Sequence, residues 1–256
     1  MSALPVAIVS GVPEELGAVR RALAQAREIS FGGYRGWTGR IAGRDVVIAV
    51  AGEGADRAAR ILEALLTEQP CAAVVGIGVA GGLTEGLPVG ALCAATDVRG
   101  RDGGTMTPDP ALLRAALATG AMPVTAVSTG SVVATAGAKR MLAATLHRPH
   151  AVADLESHPW AKTAASRGVP WVVVRVISDD VDEELPDFIV GSQRPDGSVD
   201  RGRVAARALV VPTRLTKLLR LRRRVLDAAA TLASAVGSII VDAPRDISRD
   251  VSREAM

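Results

Sequence analysis

Three short stretches place acidic side chains where apolar runs end. In AVADLESHPWAK, Ala151–Lys162, the acids Asp154 and Glu156 stand two residues apart. In WVVVRVISDD, Trp171–Asp180, Arg175 interrupts an apolar run that closes on Ser178, Asp179 and Asp180. In VAIVSGVPEE, Val6–Glu15, a strand-like run passes through Gly11 to Glu14 and Glu15. Carboxyl groups gathered at strand ends can deliver or accept protons, and burial there favours the protonated form. The plainer readings are a dipole match for Glu14 and Glu15 at a helix start, and a cap for one of Asp179 and Asp180. A guanidinium inside an apolar strand requires a carboxylate partner, so Arg175 must meet one. Asp154 is a candidate for that partner, or for a cap on the helix that follows it.

The elements that would position these acids alternate between short apolar runs and helical periodicity, which reads as a single α/β domain. Expected strands are Val6–Val9, Ala72–Gly78, Ala91–Val98, Pro123–Ser128, His150–Asp154 and Trp171–Ile177. A small hairpin is expected from Gly39–Ala42 and Asp45–Ala49. Expected helices are Glu14–Arg27, Ala55–Thr67, Pro110–Leu117, Ala136–Leu146, Ser157–Arg167, Arg203–Val211 and Arg214–Val236. The first carries Leu16, Val19, Leu23 and Ala26 on one face. The stretch Asp180–Arg201 reads as irregular. The domain is expected to span residues 1–241, with a basic C-terminal helix at about 212–236 and a polar, disordered tail at 242–256.

In such folds ligands bind beyond the carboxyl ends of the strands, so the segments after each strand matter most. GIGVAGGL, Gly76–Leu83, fits G-x-G-x-x-G in its letters, but TEGLPVG follows where a helix would be required. It therefore reads as a kinked strand end or as backbone lining a small-molecule pocket, Gly81 included. TGSVVAT, beginning at Thr129, offers the hydroxyls of Thr129 and Ser131 and an apolar wall at Val133.

Composition narrows the classes. The 256 residues are 48% hydrophobic and 2% aromatic, which argues for an aliphatic core and against a stacking surface for single-stranded nucleic acid. Two cysteines, Cys71 and Cys93, lack metal-ligand spacing and are too few for a disulfide scaffold. No basic leader opens the chain, and no run reads as long enough to span a membrane; Ala228–Val241 is too short. A cytoplasmic location is the expectation.

The run AVADLESHPWAKTAASRGVPWVVVRVISDDVD resembles the nucleoside phosphorylase/nucleosidase superfamily, whose members carry an M-E-x-x-A-type segment and then a strand ending in R-x-x-S-D. GIGVAGGL with LPVGAL, and SGVPEE, are similar to that family's glycine-rich strand end and N-terminal acid segment. DLESH and ISDDVDEELP most resemble the hopanoid-associated phosphorylases. The resemblance implies a three-layer α/β/α fold with a mixed central sheet, purine/uridine phosphorylase-like. It also implies cleavage of the N-glycosidic bond of a 5′-modified adenosine, adenosylhopane first, releasing adenine. Methylthioadenosine, adenosylhomocysteine or futalosine are alternative substrates; a silent nucleoside-binding protein is the alternative of another class.

Carried over residue by residue, the resemblance puts Asp179 beside the purine as the acid that protonates N7, and Glu15 at the nucleophile. It puts Glu156 on the ribose hydroxyls, with Leu155 in place of the family's Met under the sugar. Val133, Gly81 and Ser178 line the base, and Arg175 and Asp154 support the site from behind. No metal or organic cofactor is implied, and inorganic phosphate is the one co-substrate to consider. Val79 stands where phosphorolytic members carry a phosphate-holding Ser. Either phosphate is held elsewhere, near Gly52–Gly54 and the helix that follows, or water is the nucleophile. His158, two residues after Glu156, is a donor to substrate or a local cap.

RLTKLLRLRRRVL, Arg214–Leu226, spreads six cations around a leucine face. It reads as a helix packed on the sheet, or as a contact with the inner membrane surface that would suit a lipid-linked nucleoside. No nucleic-acid reader accompanies it. A homo-oligomer is implied by the resemblance.

Overall fold

A computed structural model describes residues 3–52, 54–192, 194, 200, 202–204, 206 and 212–244. The strands are β1 (Val6–Ser10), β2 (Ala24–Phe31), β3 (Tyr34–Ile41), β4 (Arg44–Val50), β5 (Ala73–Gly82), β6 (Leu92–Arg99), β7 (Thr105–Met106), β8 (Met122–Ser128), β9 (Ala151–Asp154) and β10 (Trp171–Asp179). The helices are α1 (Pro13–Arg21), α2 (Ala55–Glu68), α3 (Pro110–Ala118), α4 (Ala136–Leu146), α5 (Ser157–Ser166), α6 (Asp187–Val190) and α7 (Pro212–Asp242).

The strands form one mixed sheet in the order β10-β6-β8-β9-β5-β1-β4-β3-β2, and β10 also pairs with β5. The last pairing closes β5, β10, β6, β8 and β9 on themselves; β1, β4, β3 and β2 extend as an arm. Every residue of β1 and of β10 is buried, because helices cover both faces. On one face Leu16 of α1, Leu112 of α3 and Leu232, Val236 and Ile239 of α7 pack with Ile8, Val75 and Val174. On the other, Ile61, Leu62 and Leu65 of α2 and Trp160 and Ala161 of α5 pack with Val9, Val74 and Val173.

The sheet forks at β5. Its Ala73–Ile77 segment pairs in parallel with β1. Beyond the end of β1, Gly81 and Gly82 pair antiparallel with β9. Between the two partners the edge of β5 is open, and the chain leaving β1 turns into α1 there. A crevice at such a switch point is where ligands bind in open α/β sheets.

Several expectations are corrected. The helix expected over Glu14–Arg27 stops at Arg21, and Ala24–Phe31 is the outermost strand. Leu23 and Ala26 keep helical spacing, yet Gly32 and Gly33, at φ 52° and 77°, make the turn that folds β2 back on β3. Long-range pairing overrides the helical preference of AQARE. The strand expected to end at Gly78 runs on to Gly82. α7 runs past Val236 to Asp242 and, contrary to expectation, is long and apolar enough to cross a membrane by length and composition alone. Its inner face packs on the sheet, with Ala228, Leu232 and Ile240 buried, while Leu219, Leu226 and Val241 are exposed. Most of the expected helix Arg203–Val211 and of the expected tail lies outside the described residues.

Candidate active site

At the fork a cavity of about 420 Å³ opens. Glu15, Gly81, Val133, Asp154, Leu155, Glu156, Ser178 and Asp179 all line it. Of the residues singled out in the sequence, Arg175 stands behind this wall, 2% exposed. His158 lines a separate cavity with Asp102 and Lys162, so it is not brought to the acids.

Asp154 and Arg175 form the foundation. Arg175 Nε donates to Asp154 Oδ2 across 2.8 Å, and its guanidinium lies 5.0 Å from the Trp160 ring centroid. Arg175 also donates to Ser157 Oγ at 2.8 Å. Asp154 accepts further bonds from Ser128 Oγ at 2.8 Å, Ser157 N at 3.1 Å and the Ser157 hydroxyl. The carboxylate thus answers the buried guanidinium and caps α5. Burial works against its charge, but Arg175 and the Ser157 and Ser128 bonds prevail and hold it below the usual aspartate range.

Glu15 and Glu156 are held the other way. The Glu15 carboxyl accepts from the Ser10 hydroxyl and, at 2.9 Å, from the Val79 N–H that the fork leaves without a strand partner. Burial pushes its affinity for a proton up, against those two bonds and Arg175. Glu156 accepts from Gly54 N at 3.1 Å. Burial, then the neighbouring Asp154 and Glu15 charges, push Glu156 up to about 8 despite Arg175. The reason is a charge count: among the described residues, one guanidinium serves three buried carboxyls. The approach is close enough to demand glycine. A Cβ on Gly78 would stand 2.8 Å from Arg175 Nη1 and 3.1 Å from Glu15 Oε2. The glycines of GIGVAGGL therefore make room for the site's own side chains.

Asp179 lines the same cavity from the end of β10. Its Oδ2 lies 2.5 Å from Lys139 Nζ of α4, and its Oδ1 lies 2.5 Å from Ser178 Oγ. Sequence reasoning missed Lys139, which is fully buried. It also missed Ser10, Ser128 and Ser157 as partners of the acids. Of these, only Ser10, at the end of an apolar strand, and Ser157, inside DLES, stood close enough in sequence to be found.

The cavity's far end is apolar. Leu185, Ile189, Leu218, Leu221 and Val225 line it, the last three from α7, which also sends Arg222 to the same wall. Arg224 of α7 ties this helix to the loop after β10 through Glu183, at 2.7 and 2.8 Å.

Known proteins share this arrangement of elements. A crystal structure of 5′-methylthioadenosine/S-adenosylhomocysteine nucleosidase from Neisseria meningitidis, in complex with methylthio-immucillin-A, superposes with TM-score 0.74 at 20% identity, covering 92% of this chain and 98% of that one. The corresponding nucleosidase from Colwellia psychrerythraea 34H, in complex with adenine, gives 0.77 at 18% identity over 95% and 97%. A futalosine hydrolase mutant of Helicobacter pylori strain 26695 gives 0.74 at 16% over 93% and 99%. In sequence, a 5′-methylthioadenosine/S-adenosylhomocysteine nucleosidase of Lysinibacillus sphaericus (strain C3-41) is 32% identical over 99 residues, 39% of this chain and 43% of that protein. The family model described as the phosphorylase superfamily matches residues 5–210, and the chain belongs to that superfamily.

Proposed function

We propose that this protein cleaves the N-glycosidic bond of a 5′-modified adenosine and releases adenine. The observation that carries the reading is the shortage of positive charge at the fork: three buried carboxyls around Arg175. Breaking the bond between ribose and base builds positive charge on the sugar. A sugar bound against Glu156 supplies the missing cation only as the transition state forms, which is where stabilisation accelerates a reaction. Asp179, on the wall of the same cavity, would protonate the departing base. Glu15, fixed by Val79 N and Ser10, is placed to take a proton from the nucleophile.

Water is the nucleophile this site favours. The backbone N–H groups of Val79 and Gly54, which a phosphate could have used, already donate to Glu15 and Glu156. Glu53 lies outside the described residues.

The 5′ group would extend toward Leu218 and Leu221. Their apolar wall favours an apolar substituent, with adenosylhopane as the bulky case. Such a substrate would leave the cavity past α7, whose exposed Leu219, Leu226, Arg220 and Arg223 suit the inner surface of a membrane. The names of the relatives favour the second reading, a nucleosidase for methylthioadenosine, adenosylhomocysteine or futalosine. Both readings place the protein in the cytoplasm, and a homo-oligomer goes with the family resemblance.

Adenine release from purified protein tests the proposal, with adenosines carrying short and long apolar 5′ groups, with and without phosphate. Release that is independent of phosphate, with the free 5-substituted ribose as the other product, is expected. No adenine from any of them overturns the function, and a 5-substituted ribose 1-phosphate overturns the choice of nucleophile.

A further inference from the structure

Lys139 has no solvent exposure, and its ammonium is satisfied entirely by one stretch of chain. Its three protons meet three acceptors: Asp179 Oδ2 at 2.5 Å, Asp180 O at 2.5 Å and Glu183 O at 2.8 Å. It reaches them from α4, forty residues upstream of Asp179. A cation buried this completely is retained only with full compensation, and here the compensation includes the carboxyl group at the cavity edge. Ser178 Oγ holds the other oxygen of Asp179 at 2.5 Å and lies 3.2 Å from Ala80 O. Both oxygens of Asp179 are therefore fixed, one by a full positive charge.

We infer that Lys139 is a positioning residue for protonation of the leaving base, acting through Asp179. The inference rests on the proposed role of Asp179 as the acid. In that step the electron pair of the bond between sugar carbon and base nitrogen passes to the base. In the reactive state Asp179 carries a proton on Oδ1, against Ser178 Oγ, while Oδ2 accepts from Lys139; that proton moves to a ring nitrogen of the base, which leaves neutral, and Asp179 becomes a carboxylate. That carboxylate appears beside an ammonium already in place and already desolvated. The negative charge developing on the acid is stabilised with no rearrangement, which is how preorganised charge lowers a barrier. The two carbonyl bonds hold the Asp180–Glu183 turn in the same geometry, so the lysine fixes both the charge and the place of the acid.

The test compares leaving groups. A nucleoside of adenine needs its base protonated; a 4-nitrophenyl riboside does not, because nitrophenolate departs as a stable anion. In Lys139→Met, kcat for the adenine nucleoside falls by about 10²-fold with KM little changed, while turnover of the nitrophenyl riboside stays within about threefold of wild type. Lys139→Gln, one bond shorter and uncharged but with two donors, falls between. Lys139→Met/Asp179→Asn turns over the adenine nucleoside no more slowly than Asp179→Asn alone, since the lysine acts only through the acid. The double variant also removes the ammonium together with its carboxyl partner, so it supplies the comparison if Lys139→Met alone does not fold. Equal losses on both substrates, or additive losses in the double variant, overturn the role of Lys139. A wild-type protein that cleaves neither substrate overturns the functional reading instead.

Discussion

Arg175 Nε lies 2.8 Å from Asp154 Oδ2, and that bond divides the labour between the two acids of DLES. Asp154 is committed to the guanidinium; Glu156, two residues on, shares its field without a bond to it and keeps its proton. Removing one member of a buried ion pair strands the other, at a cost of about 3–5 kcal/mol. Asp154→Ala therefore lowers the melting temperature and the yield of folded protein. Glu156→Gln folds like wild type and loses turnover by about 10²–10³-fold, as the loss of one transition-state contact does. Thermal denaturation and adenine release, measured on the same preparations, separate the two outcomes. A stable Asp154→Ala with normal melting would refute the division.

The same charge count sets a pH dependence. Glu156 titrates from 4.5 in the unfolded chain to about 8 in the fold, so the folded state binds the extra proton. Its contribution to stability is complete below 4.5 and is lost as pH rises toward 8. Glu15, raised for the same reason, acts in the same direction. Asp154 is the opposite case: its contribution is present above its ordinary 3.8 and is lost as pH falls through its depressed value. Urea midpoints of wild type should therefore decline from pH 5 to pH 8, and the decline should be shallower in Glu156→Gln. Parallel profiles for the two proteins would show that Glu156 does not hold the proton.

The need of Arg175 for a carboxylate was legible because a charge inside VVVRVIS has no other explanation. Asp154, at the end of the preceding strand in sequence, stood as a candidate partner or as a cap for the next helix, and in the fold it bonds both Arg175 and Ser157 N. Lys139 was illegible for the converse reason. In AGAKRM it sits beside Arg140 on what reads as a solvated helix face, and nothing local marks it as buried. Its partner lies on β10, and only the closure of the sheet brings the two together. The glycines of GIGVAGGL announced a close approach but not its object. The strand β2 was hidden because AQARE prefers a helix, while the Gly32–Gly33 turn that decides the matter comes after it.

Glu15 and Asp179 line the same cavity from different elements, α1 and β10, and single substitutions should separate their roles. Glu15→Gln keeps an acceptor for Val79 N and loses the base, so folding survives and kcat falls by about 10²–10⁴-fold. Asp179→Asn loses the acid and should fall by a similar factor with adenine as leaving group, about 10²–10⁴-fold. If the two glutamates and Asp179 can each be replaced by amides with turnover intact, the acid and base roles given to these residues are wrong.

The apolar end should determine which 5′ groups are accepted. Leu221→Ala opens the wall contributed by α7, and each buried methylene lost there is worth about 1–3 kcal/mol of discrimination. Its kcat/KM should drop for adenosines with long apolar 5′ chains and change little for those with a methyl group. An equal effect on both would mean that the chain points elsewhere.

The outer face of α7 should report on where such a substrate comes from. Leu219 and Leu226 are 52% and 46% exposed, and Arg220 and Arg223 are exposed beside them. A surface of this kind gains about 1 kcal/mol per cation near an anionic bilayer, and salt weakens the gain. Flotation with vesicles containing anionic lipid should carry the protein at low salt and release it at high salt. Arg220→Glu/Arg223→Glu should reduce flotation while leaving turnover of short, soluble nucleosides unchanged, because neither side chain lines the cavity. Protein that stays at the bottom of the gradient with anionic vesicles at low salt would remove the membrane from the proposal and favour a soluble nucleoside as substrate.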